Sequence, residues 1–158
     1  MQRKKTFIVA CLIISLLLLS GGILFKSGER SLAAAKKVGT VSSNDVWVLS
    51  KIISGEARGE SFVGQVAVGA VIVNRVKNPN FPNTVYGVVF EPGAFTAVSD
   101  GQYYNPPSAS AVKAARSAIS GWDPTGGALY YWNPAKATSR WIWSRRIIAR
   151  IGKHVFGL

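Results

Sequence analysis

Residues 7–25 form an apolar run without a single charge, and Arg3, Lys4 and Lys5 stand just before it. At 1.5 Å per residue such a run makes a helix of roughly 28 Å, about the thickness of a bilayer's hydrocarbon core. A basic end followed by an apolar run is the start of an export signal, with the basic end left in the cytoplasm. The sequence divides accordingly. Residues 1–6 are a basic cytoplasmic end, and 7–25 are a signal anchor or signal peptide. Residues 26–43, with Ser, Gly, Ala and Lys and no sustained apolar period, read as a linker, which leaves 44–158 to build a hydrophobic core. The small residues Ala33, Ala34 and Ala35 come after Lys26, Glu29 and Arg30. That is late and charged for a cleavage site, and it favours an uncleaved anchor over a secreted product.

Charge narrows the partners. The chain carries 19 Lys and Arg against 7 Asp and Glu, a formal net charge of +12. From Asn44 onward twelve basic residues face six acidic ones, so the folded part keeps about half of that excess. An exported basic domain suits anionic material of the cell envelope, and nucleic acid is a poor partner for it. A single cysteine, Cys11, rules out an internal disulfide framework and a cysteine-clustered zinc site. The single histidine, His154, argues against a histidine-rich metal centre and against an ordinary Ser-His-Asp triad. No metal and no cofactor are expected.

The fold class read from the pattern is α+β, dominated by helices. Ser43 or Asn44 can cap a helix carrying Val46, Leu49, Ile53 and Ala57 at helical spacing, ended or bent by Gly59. A second helix is expected over residues 62–76, with Val63, Ala67, Ala70, Val71 and Asn74 on one side. Residues 78–82, with two prolines, break the chain, and 84–90 form a short apolar element of open type. Residues 94–98 read as a strand. A helix over 108–120 starts after Pro106 and Pro107 and ends at Gly121. Residues 128–132 read as a strand, and 147–156 as a helix leading to a strand or as paired strands.

With so few acids each can be weighed in turn. Asp45 sits in a first helical turn, where a carboxylate favours the helix dipole. Asp123 before Pro124 is a turn residue; Glu91 before Pro92 and Asp100 before Gly101 are turn-like, with either able to edge a cleft. Glu56 differs, because it closes an amphipathic helix between Gly55 and Gly59, which leave room for a bulky polymer to approach its carboxylate. If the helix continues, Glu56 and Glu60 share one face a turn apart, and their repulsion helps one carboxyl to stay protonated as a general acid. If Gly59 breaks the helix, Glu60 becomes an anchor behind the site. Aromatic residues gather in the last third: Tyr103, Tyr104, Trp122, Tyr130, Tyr131, Trp132, Trp141 and Trp143. Their faces suit sugar rings, although strand alternation sends Tyr131 to one side and Tyr130 and Trp132 to the other, so at least one side is interior.

These residues assemble into recognisable strings. Ser54-Gly55-Glu56-Ala57-Arg58-Gly59-Glu60, Asn74-Arg75-Val76, Phe81-Pro82-Asn83-Thr84-Val85, Ala94-Phe95-Thr96-Ala97 and Asp100-Gly101-Gln102 are followed in order by Gly121-Trp122-Asp123-Pro124, Tyr130-Tyr131-Trp132-Asn133-Pro134, Trp141-Ile142-Trp143 and Gly152-Lys153-His154-Val155-Phe156. Over roughly residues 45–158 the chain resembles the SleB-type spore cortex-lytic enzymes of the cell wall hydrolase family. No separate peptidoglycan-binding domain stands between the apolar run and this region, so a membrane anchor would supply localisation.

The resemblance implies a lysozyme- or lytic-transglycosylase-like catalytic domain with a small β element, facing the cell wall or spore cortex and acting on peptidoglycan. It puts the catalytic acid at Glu56. Glu60, Thr96, Gln102, Tyr130, Tyr131 and Asn133 are then expected around the substrate, with Glu60 tuning Glu56. The implied reaction cuts the β-1,4 bond between N-acetylmuramic acid and N-acetylglucosamine, with a sugar hydroxyl as nucleophile. The rival readings are a hydrolase, in which water is activated by a second carboxylate such as Glu60, Glu91 or Asp100, and a tethered module that binds wall without cutting it.

Overall fold

The computed structural model describes residues 42–158; the expected cytoplasmic end, the apolar run and nearly all of the expected linker lie outside the described residues. Among the described residues no helix is long and apolar enough to cross a membrane.

The first helix, α1 (Ser43–Glu56), starts one residue earlier than the sequence suggests, because Ser42 and Asp45 form a capping box. Ser42 Oγ accepts from the Asp45 amide at 3.1 Å, while the Asp45 carboxylate accepts from the Ser42 amide at 3.2 Å. Val48, Leu49, Ile52 and Ile53 make its buried stripe. The helix stops at Glu56, and Gly59 turns the chain through φ +78°. Ser61 then caps α2 (Phe62–Lys77) by accepting from the Gly64 amide.

Helix α2 is the centre of the domain. From Val66 to Ile72 every residue is buried, since α1, the Ala-rich α5 (Ala109–Ile119) and the sheet cover it from several sides. Gly69 permits the closest of these contacts: a Cβ there would stand 2.8 Å from Ile53 Cδ1 and 3.1 Å from Ala118 Cβ. The expected inward stripe of α2 needs one correction. Val63 belongs to the first turn, and it is 40% exposed.

Between α2 and α5 lie two short helices, α3 (Val85–Val89) and α4 (Thr96–Ser99), then a 3₁₀ turn over Gln102–Tyr104. Thr84 caps α3 through the Gly87 amide, which settles the open element as helix. Residues 94–98, expected as a strand, instead turn into α4. The Ala97 amide, which a strand would need for a ladder, is claimed by a side chain of α1.

A three-stranded antiparallel sheet closes the domain in the order β1-β3-β2, from β1 (Tyr130–Trp132), β2 (Ile147–Ile151) and β3 (His154–Gly157). The paired-strand alternative for 147–156 is the one realised, with a bulge between Ile147 and Ala149. One helical turn between β1 and β2, α6 (Arg140–Trp143), is not foreshadowed by any apolar period. Tyr131 faces Phe156 across the β1–β3 pair, and Phe156 is fully buried. Helix-rich with a small antiparallel sheet, the fold is α+β.

The corrected stripe of α2 has a measurable consequence. Val66→Ala, at a fully buried site, should lower the unfolding free energy by about 2 kcal/mol. Val63→Ala should stay within about 0.5 kcal/mol of the parent. Urea unfolding of the two variants checks this; equal losses would restore Val63 to the core.

Candidate functional site

Glu56 is the last residue of α1, and its side chain leaves the helix toward α4 and β1. The Ala97 amide donates to Oε1 at 2.7 Å, and the Tyr131 hydroxyl donates to Oε2 at 3.1 Å. The carboxylate is half-buried. Gly55 makes this geometry possible. A Cβ at Gly55 would sit 2.6 Å from Ala97 Cβ, so only glycine lets α4 come close enough for its amide to reach Glu56. The sequence reading took Gly55 as clearance for a polymer; the space is occupied by Ala97.

Tyr131 is held from behind by β3. His154 meets its ring edge-on at 5.4 Å, and Phe156 lies at 6.1 Å. Burial pushes the Tyr131 phenol well above its ordinary range, and the charge and hydrogen bond of Glu56 push the same way against the smaller effect of Arg75. The phenol therefore keeps its proton.

Glu60 takes the second of the two arrangements open from the sequence. With the helix ended and Gly59 left-handed, its carboxylate turns into the β2–β3 turn, and its side chain is only 4% exposed. Oε2 accepts the Lys153 amide at 3.2 Å. Gly152 lacks a side chain where a Cβ would collide with that oxygen, and His154 Nδ1 is 3.8 Å from Oε1. Glu60 thus joins the α1–α2 turn to the hairpin that backs Tyr131, and it offers no surface to a substrate. His154 Nδ1 itself is buried without a hydrogen-bond partner. Burial lowers the His154 pKa; the nearby Glu60 and Glu56 oppose this, and Lys136 and Lys153 add to it.

The other expected residues separate. Gln102 stands beside Gly55, its side-chain amide donating to Asp100 at 2.6 Å, and Thr96 is exposed next to Ala97. These two share the neighbourhood of Glu56. Asn133 folds back to accept the Ala135 amide and shapes the turn after β1. Tyr130 belongs to the opposite face of β1, against Phe81 and Trp141. Among the hydroxyls, Ser54 accepts the Ser108 amide and Ser61 caps α2. Among the described residues no His, Cys, Asp and Glu side chains gather into a metal-ligating group.

Two participants escaped the sequence reading. The Ala97 amide carries no side-chain signal at all. Arg75 does carry one, a lone cation in the apolar run of α2. It is 8% exposed, its Nε donates to Leu129 O at 2.8 Å, and its guanidinium lies 5.2–5.6 Å from the rings of Phe81, Phe95 and Tyr130. Asp123 supports this contact from the side. It accepts from Asn74, from the Thr125 amide and hydroxyl and from the Gly127 amide, and Asn74 also donates to Ala128 O.

A helix-rich domain with one carboxylate fixed between a helix end, a backbone amide and a tyrosine of a small sheet is a single-carboxylate site. The chain belongs to the cell wall hydrolase family, whose sequence profile matches residues 59–157. It is 60% identical over 115 residues to a spore cortex-lytic enzyme of Bacillus cereus, a match that covers 73% of this chain and 44% of that protein. The chain thus spans less than half the length of that relative. The crystal structure of the catalytic domain of the Bacillus cereus SleB protein superposes with a TM-score of 0.73 at 54% identity, over 79% of this chain and 99% of that one. The catalytic domain of the germination-specific lytic transglycosylase SleB from Bacillus anthracis gives 0.71 at 59% identity, over 74% and 96%.

Two stability measurements follow from the geometry. Gly55→Ala improves helix propensity by about 1 kcal/mol, yet the collision with Ala97 should make the variant less stable by about 1–3 kcal/mol; a stabilised Gly55→Ala would refute the close approach. For His154 the folded pKa lies below the ordinary 6.5. The unfolded chain therefore binds the proton more readily, and stability is lost as pH falls through 6.5 toward the lowered value. Thermal midpoints at pH 5 and pH 8 should differ by more in the parent than in His154→Gln.

Proposed function

We propose that this chain is a peptidoglycan lytic transglycosylase. It cleaves the β-1,4 bond between N-acetylmuramic acid and N-acetylglucosamine in spore cortex or cell wall, held at the outer face of the membrane by residues 7–25. The observation that carries this reading is that Glu56 is the one acid held jointly by the Ala97 amide and the Tyr131 hydroxyl. Of the acids the sequence offered as a second catalytic carboxylate, Glu60 is bound into the hairpin, Asp100 holds the backbone and side-chain amides of Gln102, and Glu91 stands exposed on the turn after α3. A reaction whose nucleophile comes from the substrate needs only one carboxylate, unlike the paired-carboxylate schemes of most glycosidases. The identity to a spore cortex-lytic enzyme and to a domain described as a germination-specific lytic transglycosylase supports the cortex as substrate.

The hydrogen bonds around Glu56 assign its two oxygens. An amide can only donate, so Ala97 keeps Oε1 an acceptor throughout, and the mobile proton belongs on Oε2. The Tyr131 hydroxyl can rotate between donating to Oε2 and accepting from it, so it serves both protonation states. Oε2–H gives its proton to the glycosidic oxygen as the bond to the muramyl C1 breaks, and the N-acetylglucosamine end leaves as an alcohol. The carboxylate then takes the proton of the muramyl C6 hydroxyl, whose oxygen attacks C1. A 1,6-anhydro ring forms, Glu56 is protonated again, and no water is consumed.

Mass spectrometry of the soluble products from purified cortex and vegetative wall tests this. Products lighter by one water than a hydrolysed chain end are expected, while reducing ends would make the enzyme a hydrolase. Glu56→Gln should reduce turnover by about 10²–10⁴-fold. Tyr131→Phe should reduce it by about 10–100-fold, the loss of one hydrogen bond to a charged group. Normal lysis by Glu56→Gln would overturn the assignment.

A further inference from the structure

On the face of β1 opposite Tyr131 stand two guanidinium groups that form no ion pair among the described residues. Twelve Lys and Arg residues follow Asn44, yet among the described residues the single carboxylate within 4 Å of a basic side chain is Glu60, beside His154. Arg75 and Arg145 approach the same ring, Tyr130, with guanidinium carbons at 5.6 and 5.8 Å from its centre. Neither pairs with a carboxylate among the described residues. Arg75 is more than nine-tenths buried, and its one hydrogen bond is through Nε. Arg145 donates only to Ser144 Oγ, and its own Nε is buried without a partner. The one carboxylate whose charge reaches Arg75 is Glu91, which is exposed and makes no ion pair with it.

Trp141 completes the arrangement. Arg145 lies over its ring at 4.6 Å, Tyr130 meets it edge-on at 5.2 Å, and Trp141 is still 53% exposed. An indole face packs on a sugar ring, and a guanidinium stacked beside it offers a planar fork to a carboxylate. Arg75 also links this face to the segment that holds Glu56. Arg75 is 5.5 Å from the ring of Phe95, two residues before the amide that holds Glu56, and its charge is felt by Tyr131 as well as Tyr130.

We propose that Trp141 and Arg145, with Tyr130 and the buried Arg75 behind them, form a subsite for a glycan unit that bears a carboxylate. Peptidoglycan offers that chemistry from two sources, the lactyl acid of a muramyl residue and the acids of the stem peptide joined to it. The subsite rests on the peptidoglycan reading, but not on whether the product is anhydro or hydrolysed. Trp141 supplies the platform, Arg145 the fork, and Arg75 a fixed charge that raises the affinity for an anion without touching it.

Binding to soluble glycan strands is measured with the full chain carrying Glu56→Gln, so that nothing is cut. Three strand preparations serve: peptide-bearing strands, strands freed of peptide and so carrying lactyl carboxylates, and either kind with its carboxylates converted to neutral amides. The parent should bind carboxylate strands about tenfold more tightly than amidated ones, the worth of one charge-assisted hydrogen bond. Arg145→Gln should remove most of that preference, Arg145→Lys should keep part of it, and Trp141→Ala should weaken carboxylate and amidated strands alike. A preference already present without peptide assigns the lactyl acid; one that needs the peptide assigns the stem. Equal binding of carboxylate and amidated strands by the parent, or an undiminished preference in a folded Arg145→Gln, overturns the subsite and leaves the peptidoglycan reading standing. No binding to any strand overturns both.

Discussion

The hydrogen bond from the Ala97 amide to Glu56 Oε1 is the constraint around which the domain is arranged. It joins the last residue of α1 to the first turn of α4. It requires glycine at position 55, because any side chain there meets Ala97. It also turns residues 96–99 into a helical turn by taking the amide that a strand would have paired. Tyr131 supplies the second bond, so the carboxylate joins a helix end, a short helix and the sheet. A half-buried carboxylate with both oxygens hydrogen-bonded is held in direction.

The sequence carried the parts of this that depend on period and punctuation. The inner stripe of α1, most of that of α2 and the Ala-rich α5 follow from spacing and from glycine and proline placement, while the C-terminal hairpin was one of two readings left open. What escaped it depends on tertiary contact. The amide of Ala97 has no compositional signature, α4 reads as a strand because its residues do not know that α1 will take their donor, and α6 is too short to show a period. Glu56 was legible as the unusual acid, and Tyr131 as a member of an aromatic cluster. Nothing in their spacing, 75 residues apart, announced that they would touch. Glu60 and Asn133 are polar residues in the right strings whose side chains hold turns.

The scarcity of acids makes the charge distribution readable. Asp45 closes a capping box, Asp123 organises the loop that delivers Leu129 to Arg75, Asp100 holds Gln102, and Glu60 anchors the hairpin. Burial alone would raise Asp123, but the hydrogen bonds from Thr125, Asn74 and Gly127 outweigh it and hold the carboxyl below the ordinary range. With most acids given to local structure, few remain to pair with Lys and Arg. The basic side chains are left to face outward or to lie on aromatic rings, where a guanidinium is favoured even without an anion.

Strand β1 has three residues, yet its alternation separates the two chemistries of the domain. Tyr131 points to Glu56, and Tyr130 to the guanidinium cluster. A slip of one residue in its pairing with β3 would exchange them and disable both. So short a strand cannot hold register by its own ladder, and the neighbouring contacts do it instead. Arg75 and Asn74 of α2 bond to Leu129 O and Ala128 O, and the Leu129 amide donates to Gly157 O at 2.9 Å. Gly157 in turn leaves room for the Trp132 ring, which a Cβ there would approach to 3.2 Å. Arg75 therefore acts twice, as the clamp that keeps Tyr131 aimed at Glu56 and as the buried charge behind Tyr130. Both roles call for the same planar, permanently charged group, and lysine could match neither the Nε–carbonyl bond nor the packing among three rings.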